Sequence, residues 1–287
     1  MFRSARSDRI QWLKSVPFLA VHAVAAATPL VAPFAWRWAA LAAALYAVRM
    51  FAITAGYHRY FSHRAYRTSR AFQLLLAVAG TTAVQKGPLW WAAHHRDHHR
   101  FSDLPEDVHS PLQRGFWWSH VGWILSERHD RTRLDRVRDL ARYPELVWLD
   151  RWHLVPPLAL AAALLAVAGV PALLWGFFVS TVALWHGTFA INSVAHVLGR
   201  RRYATPDGSR NGLALALLTF GEGWHNNHHF FPGSARQGFL WWEVDLSYYA
   251  LRVLAAAGVV QDLRSPPARV RLARGEADAR AERAVQA

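Results

Sequence analysis

The longest uncharged stretch of the chain limits what it can fold into. Residues 152–199 contain no aspartate, glutamate, lysine or arginine over 48 positions. A helix of about 20 apolar residues crosses the hydrocarbon core of a bilayer, so this composition is typical of a lipid-facing segment. The stretch is too long for one span, and Gly169 and Pro171 interrupt its helical pattern. We therefore predict a hairpin of two transmembrane helices, at residues 152–169 and 172–195.

The N-terminal part of the chain predicts a second hairpin. Residues 15–36 are uncharged, and residues 38–57 are interrupted only by Arg49, so each segment is long enough for a span. Arg37 is expected in the tight turn between them. Two other apolar segments, at residues 71–85 and 211–220, are too short to span and are expected at the interface or under protein. The predicted fold is an all-α integral membrane protein with four transmembrane helices in two hairpins.

Clusters of basic residues predict the orientation in the membrane. They precede the first span and follow the last one, at Arg3, Arg6, Arg9, Lys14, Arg200, Arg201 and Arg202. The positive-inside rule places both clusters, and therefore both termini, in the cytoplasm. The polar residues 102–150 are then a helical cytoplasmic cap. The predicted division is a cytoplasmic N-terminal segment (1–14), a membrane domain (15–260) and a cytoplasmic C-terminal tail (261–287).

Composition excludes several classes of function. The chain has 33 basic and 19 acidic residues, a formal net charge of +14, 16 histidines and no cysteine. Disulfides, thiolate metal sites and cysteine nucleophiles are excluded, so a tightly held metal must use nitrogen or oxygen ligands. The basic residues are dispersed, without a recognisable nucleic-acid-binding motif, so no nucleic-acid partner is expected.

Nine of the histidines fall into four short motifs. These motifs are HRYFSH with His58 and His63, HRDHH with His95, His98 and His99, NSVAH with His196, and HNNHH with His225, His228 and His229. Helical positions i, i+3 and i+4 share a face, so each H-x-x-H-H motif directs three imidazoles to one side. His58 and His63 are five residues apart and need a helix end to converge. The predicted topology places all four motifs on the cytoplasmic side, where they can meet.

Nine imidazoles predict a histidine-rich di-metal site in the cap. They exceed the four ligands of a structural zinc ion, and they suit iron, copper, zinc or nickel, among which spacing does not choose. Glu222, one turn before His225, and Asp97, inside its motif, are candidate acceptors for imidazole N–H groups. The other seven histidines are expected to be packing residues: His22, His94, His109, His120, His129, His153 and His186.

The four motifs, in this order, resemble the histidine boxes of membrane fatty acid desaturases, specifically the acyl-CoA Δ9 (stearoyl-CoA) branch. The similarity continues through RDHHRFSDLPED, RGFWWSHVGWIL and GEGWHNNHH, and it covers roughly residues 38–245. It implies two iron ions held by the nine histidines, with Asn192 acting through a water, beside a bent tunnel for an acyl chain. Zinc is able to replace iron in overproduced protein.

The resemblance also implies a reaction and its partners. The expected enzyme is an oxidoreductase that uses dioxygen and two electrons to introduce a cis double bond, at Δ9, into an acyl chain. Acyl-CoA is the first expected substrate and a phospholipid-bound chain the second, with Arg114 and Trp123 as candidate substrate contacts. The chain has no His-Pro-Gly-Gly haem-binding segment, so the electron donor is expected to be a separate ferredoxin, rubredoxin or cytochrome b5 type protein with its reductase. The expected location is a bacterial inner membrane.

Two other functions stay open at this point. A membrane alkane or carotenoid hydroxylase shares eight-histidine boxes, although the NSVAH motif and the RGFWWSHVGW stretch resemble desaturases. A metal transporter also uses histidine ligands, but transport sites lie near the bilayer midplane, whereas these motifs lie at predicted span ends and in the cap.

Overall fold

The computed structural model describes residues 8–271 and 273, and helices dominate them. The α-helices are α1 (Trp12–Val31), α2 (Trp36–Phe51), α3 (Arg70–Thr81), α4 (Pro88–Phe101), α5 (Pro111–Arg114), α6 (Phe116–His120), α7 (Arg138–Ala141), α8 (Pro144–Arg151), α9 (Val155–Ala172), α10 (Ser180–Val197), α11 (Leu213–Leu218), α12 (His225–Phe230), α13 (Leu246–Ala256) and α14 (Ala268–Arg271). Two π-helical segments, Ala52–Ser62 and Leu173–Val179, follow α2 and precede α10. Strands β1 (Arg67–Thr68) and β2 (Val260–Gln261) form a short antiparallel ribbon.

Three helical segments of the described chain are long and apolar enough to cross a membrane. They are Trp12–Val31, Trp36–Ser62 and Val155–Val197. The third contains 43 residues, but Gly169 has φ 76° and ψ −171°, so the backbone leaves helical geometry there. Glycine adopts this left-handed region without the steric cost of a Cβ atom. The predicted interruption of the uncharged stretch at Gly169 is therefore confirmed.

The first hairpin turns earlier than the sequence predicted. Helix α1 ends at Val31 and α2 begins at Trp36, so Arg37 lies in the first turn of α2 and not in the loop. Ala32 is extended, with φ −128° and ψ 94°, because the ring of the following proline disfavours the helical region for the residue before it. At the other end, the π-helical segment carries the second long helix beyond its predicted end at residue 57.

The two short apolar segments form helices that are too short to span a bilayer, as the sequence predicted. Helix α3 covers most of residues 71–85 and has 12 residues, and α11 lies within residues 211–220 and has 6. Their location at the interface or under protein stays a prediction. The predicted cap is helical and contains α5, α6, α7 and α8. In the predicted terminal segments, residues 1–7, 272 and 274–287 lie outside the described residues.

Arg49 is the one charged residue within the second predicted span, and it is 1% exposed. Its guanidinium donates to the Thr181 hydroxyl at 2.7 Å, to the Ser180 hydroxyl and to the Leu45 carbonyl at 3.1 Å. A charged group at membrane depth is costly unless protein groups replace its hydration. These bonds supply that replacement, and they join α2 to the start of α10.

Candidate metal centre and substrate cavity

A π-helical turn brings His58 and His63 together. In a π-helix the amide bonds to the carbonyl five residues earlier, so residues i and i+5 lie on one face. The His63 amide donates to the His58 carbonyl at 3.2 Å, and the two rings meet edge to face with centroids 4.9 Å apart. The predicted convergence at a helix end is confirmed, and the π geometry accounts for the five-residue spacing.

The nine histidines of the four motifs converge into two clusters, in each of which the candidate ligand nitrogens lie within 4.8 Å of one another. The five-histidine cluster consists of His58, His63, His95, His99 and His228, and the four-histidine cluster consists of His98, His196, His225 and His229. Both H-x-x-H-H helices are divided between the clusters. Each gives its first and last histidine to one cluster and its middle histidine, His98 or His228, to the other.

The five-histidine cluster has a ring-nitrogen arrangement that hydrogen bonds alone do not satisfy. Nε2 of His228 lies 3.0 Å from Nε2 of His58 and 2.8 Å from Nε2 of His99. One ring nitrogen carries at most one hydrogen, so His228 can donate in only one of these contacts. Buried nitrogen lone pairs that converge in this way fit a metal cation.

The four-histidine cluster also contains converging and unpartnered ring nitrogens. Nδ1 of His196 donates to the Asp103 carboxylate at 2.8 Å, and Nε2 of the same ring lies 3.1 Å from Nε2 of His225. His229 donates through Nδ1 to Asp207 at 2.7 Å, and its Nε2 is buried without a hydrogen-bond partner in the described structure.

Electrostatics favour neutral imidazoles at several of these positions. Burial, and then the neighbouring histidines, lower the pKa of His63, His95 and His99 well below the usual value. Burial is also the main cause that lowers the pKa of His229 to about 4, against the opposing effect of Asp207. Only the neutral ring has a lone pair for a metal, so these positions are prepared for ligation.

Carboxylates orient four of the nine histidines through Nδ1. The pairs are Glu222 with His58 at 2.5 Å, Asp107 with His98 at 3.0 Å, Asp103 with His196 at 2.8 Å and Asp207 with His229 at 2.7 Å. Burial opposes ionisation of Asp107 and Asp207, but their histidine partners outweigh it and hold the pKa of both carboxyls below the usual range. Such pairs fix which ring nitrogen faces a metal.

Sequence reasoning found one of these carboxylates, Glu222, and missed three. Asp103 and Asp107 follow His99 closely in the stretch RDHHRFSDLPED, which was an available signal, whereas Asp207 lies in a loop with no motif. Asp97, the other predicted acceptor, instead forms an ion pair at 2.7 Å with Arg136. It lies two positions after His95 on α4, and residues i and i+2 of a helix do not face each other.

A buried network of ion pairs, Arg59 with Glu222 and Asp245, holds Glu222 in place. Arg59 is fully buried and donates to Glu222 at 3.0 Å and to Asp245 at 2.9 Å. The backbone at Gly221 lies close to Asp245. Its φ is 118°, and a Cβ atom at this position would lie 2.4 Å from the Asp245 carboxylate. The GEGW sequence therefore supplies Glu222, the acceptor for His58, and Gly221, which allows the backbone to lie close to the Asp245 carboxylate.

A cavity of about 290 Å³ adjoins the clusters. His95 and Asn192 line its inner end, and these residues also line a second cavity of about 40 Å³ that reaches Met50 and Ile53. Much of the remaining wall is apolar or aromatic, with Phe18, Val21, Trp90, Trp91, Ile124, Leu125, Trp185 and Phe189. Two adjoining cavities with largely apolar walls beside a histidine centre suit an aliphatic chain.

The two predicted substrate contacts have different positions. Trp123 lines the large cavity, is 6% exposed and stacks on Trp90 with ring centroids 5.6 Å apart. Arg114 is not among the residues that line this cavity. Its guanidinium lies 3.7 Å from the centroid of the Trp118 ring and 3.0 Å from the Asp8 carboxylate. The expectation that Arg114 contacts substrate is therefore not supported by its position.

The seven histidines predicted to be packing residues include three that line the cavity, namely His94, His109 and His153. Three others, His22, His186 and His120, form a hydrogen-bonded chain with ring nitrogens 3.1 and 3.0 Å apart. His129 is buried beside Trp123. None of the seven belongs to the two clusters, and their positions in the cavity wall and in the hydrogen-bonded chain were not predicted from the sequence.

Membrane-length helices, two histidine clusters and an apolar cavity define a helical membrane protein with a candidate metal centre. A sequence model of the family described as "Fatty acid desaturase" matches residues 8–263. The chain therefore belongs to the fatty acid desaturase family, whose members are oxidoreductases of lipid metabolism.

Curated relatives of the chain differ in the carrier of the acyl group. The sn-2 palmitoyl-lipid 9-desaturase of Nostoc sp. (strain 36) is 36% identical over 269 residues, which cover 91% of this chain and 93% of the relative. The sn-1 stearoyl-lipid 9-desaturase of Synechocystis sp. is 37% identical, with 89% and 81% covered. The icosanoyl-CoA 5-desaturase of Limnanthes douglasii is 38% identical, with 88% and 72% covered. The relatives thus do not single out the acyl-CoA Δ9 branch that the motifs resembled.

Proposed function

We propose that this protein is an O2-dependent desaturase that introduces a cis double bond, at Δ9, into a saturated acyl chain esterified in a membrane lipid. The observation that carries the proposal is the cavity, which passes His95 and Asn192 and has its exposed wall at Lys14, Pro17 and Leu154. Those three residues lie near the starts of α1 and α9. Such a mouth faces the bilayer surface, where the ester end of a lipid lies.

Relatives support the lipid-bound substrate without excluding the other one. The Nostoc and Synechocystis proteins are named as desaturases of lipid-bound chains. Acyl-CoA, the first expectation from the motifs, is the alternative, and the name of the Limnanthes protein favours it. Both forms present the same saturated methylenes to the clusters, so the reaction at the centre is common to them.

The nine histidines are the proposed ligands of two iron ions. The five-histidine cluster would hold one ion, and the four-histidine cluster would hold the other, with Asn192 acting through a water. When bound, the iron ions activate dioxygen for hydrogen removal from an unactivated methylene, which no amino-acid side chain achieves alone. The four carboxylates keep their histidines in the ligating tautomer.

The protein's own part is to position the chain and exclude water. His95 and Asn192 lie where the two cavities join, so the methylenes that react are those held at this junction. The small cavity, which Met50 and Ile53 line together with histidines of both clusters, is the proposed position of the methylenes beyond this junction. Positioning of this kind contributes much of the rate in enzymes whose cofactor carries the chemistry.

The topology and partners of this proposal follow the sequence. Four transmembrane helices, two of them formed by division of the segment Val155–Val197 at Gly169, would place both termini and the histidine clusters on the cytoplasmic face of a bacterial inner membrane. The two electrons come from a separate donor of the ferredoxin, rubredoxin or cytochrome b5 type, with its reductase. The positive charge of the chain suits an acidic donor.

Gas chromatography of fatty acid methyl esters tests the proposal. Purified protein, loaded with iron and supplied with donor and reductase, is given stearoyl chains in phospholipid vesicles or as stearoyl-CoA. We expect a cis-9 monoene from the vesicles, and none from the His63→Ala variant. A monoene from stearoyl-CoA alone would replace the lipid substrate with acyl-CoA, and a hydroxylated product would support the hydroxylase alternative.

A further inference from the structure

We infer that Lys14 and Lys86 form a binding site for the phosphate group of a glycerophospholipid, whose acyl chain enters the large cavity. The inference rests on the proposed function and names the lipid class that the enzyme takes. The chain has 33 basic residues, of which only Lys14 and Lys86 are lysines. Both line the same cavity, although 72 residues of sequence separate them.

The two ammonium groups already converge on one anionic group. Nζ of Lys14 lies 3.7 Å from the Asp130 carboxylate, and Nζ of Lys86 contacts the same carboxylate and donates to the Asp130 carbonyl at 2.9 Å. A carboxylate and a phosphodiester each present two charged oxygens. Two ammonium groups that meet at one carboxylate are therefore able to meet at one phosphate.

The location matches the phosphate layer of a bilayer. Lys14 lies in the first turn of α1 and is largely exposed, next to Trp12, which is 70% exposed. On the other side of the cavity mouth, Trp152 is 50% exposed just before α9. Exposed tryptophans near the ends of apolar helices mark the membrane interface. A phosphate held here leaves the acyl chain directed along the apolar wall toward His95.

The backbone at Lys86 is fixed in an uncommon conformation. Val84 and Lys86 have positive φ angles of 58° and 63°, which residues with a Cβ atom rarely adopt. The Lys86 carbonyl accepts a hydrogen bond from the buried Tyr57 hydroxyl at 3.2 Å. Strained backbone of this kind concentrates at ligand-binding positions. The loop presents the ammonium group at the cavity wall.

Charge distinguishes a phospholipid from acyl-CoA at this mouth. Among the residues that the structure describes, Lys14 and Lys86 are the Asp, Glu, Lys or Arg side chains that line the cavity, and two ammonium groups suit the single negative charge of a phosphodiester. The headgroup of acyl-CoA carries several phosphate charges. Arg114, the cation that the sequence predicted for the substrate, instead contacts Asp8 and Trp118 and does not line the cavity.

A comparison of headgroups tests the site. Stearoyl chains are presented in vesicles as phosphatidylglycerol, as phosphatidylcholine or as monogalactosyldiacylglycerol, which has no phosphate. For the wild-type enzyme we expect an apparent KM about tenfold lower for the two phospholipids than for the galactolipid. The Lys14→Gln/Lys86→Gln variant should lose this difference, with similar KM values for all three lipids. Arg151→Gln, which removes an exposed positive charge beside Trp152, should keep the difference.

Two further measurements make the outcome decisive. Asp130→Asn removes the competing carboxylate and should lower the KM for phosphatidylglycerol. Phosphorus analysis of purified protein should show less bound phospholipid in the double-lysine variant than in Arg151→Gln. Equal KM values for all three lipids in the wild-type enzyme would overturn the phosphate site while the lipid desaturase survives. Desaturation of stearoyl-CoA with none of any vesicle lipid would overturn the proposed function itself.

Discussion

Nδ1 of His196, near the end of α10, lies 2.8 Å from the carboxylate of Asp103, in the loop that follows α4. The same carboxylate accepts from the Ser110 hydroxyl at 2.5 Å and from the Gly208 amide at 2.7 Å. One side chain thus joins a membrane helix, the cap and the loop before the last histidine motif. Its loss should disturb the four-histidine cluster specifically.

We expect Asp103→Asn to weaken metal binding at the four-histidine cluster by about 10- to 100-fold, because His196 loses the charged acceptor that fixes its tautomer. Competitive metal titration of the purified protein measures this change. Asp97→Asn is the matched control, since Asp97 pairs with Arg136. It should leave the metal affinities of both histidine clusters unchanged. Equal losses at both clusters in Asp103→Asn would contradict a local role.

Alanine substitution of a single histidine should remove the metal from one cluster and abolish desaturation. For His63→Ala and for His225→Ala we expect the metal content to fall from about two ions to about one per chain, because each residue belongs to a different cluster. Elemental analysis and product chromatography measure the two effects. His186→Ala lies outside both clusters and should retain metal and activity; full metal content in His63→Ala would remove that residue from the ligand set.

Glu222→Gln should destabilise the fold as well as the five-histidine cluster. The substitution leaves the fully buried Arg59 with Asp245 as its remaining carboxylate partner, and loss of one partner of a buried charge costs about 3–5 kcal/mol. Denaturant unfolding in detergent measures this free energy. Asp262→Asn breaks a pair with Arg67 in which both side chains are more than half exposed, and it should cost less than about 1 kcal/mol. Similar losses of unfolding free energy in the two variants would contradict a stabilising role for the buried ion pairs of Arg59.

The electron donor should dock by charge. The chain carries a formal net charge of +14, and encounters between oppositely charged proteins are steered electrostatically and weakened by salt. Under conditions in which the donor limits turnover, we expect the rate to fall several-fold when ionic strength rises from about 0.05 to 0.5 M. Single-turnover assays with enzyme that is already reduced serve as the control, because they do not require the electron donor to bind. A donor-limited rate that does not depend on salt would exclude electrostatic docking.

Local properties of the sequence predicted much of this protein. The uncharged stretch predicted membrane-length helices, and its glycine predicted the break at residue 169, because glycine tolerates a positive φ wherever it occurs. The prediction that each H-x-x-H-H motif directs all three imidazoles to one side was wrong for the middle histidine. Helical positions i and i+4 point about 40° apart, whereas i+3 and i+4 point about 100° apart. That difference explains why the outer histidines of each motif stay together and the middle one diverges.

The sequence by itself determined that the chain is apolar enough for a membrane and that nine histidines are available in four motifs. Only the tertiary structure decided which cluster receives each histidine, because the packing of α4 and α12 places His98 and His228 in a different cluster from the other histidines of their motifs. It also paired Asp207 with His229 and brought Lys14 and Lys86 to one cavity. These relationships join residues 22 and 72 positions apart. They depend on how helices pack, and no spacing within a single helix or loop encodes that packing.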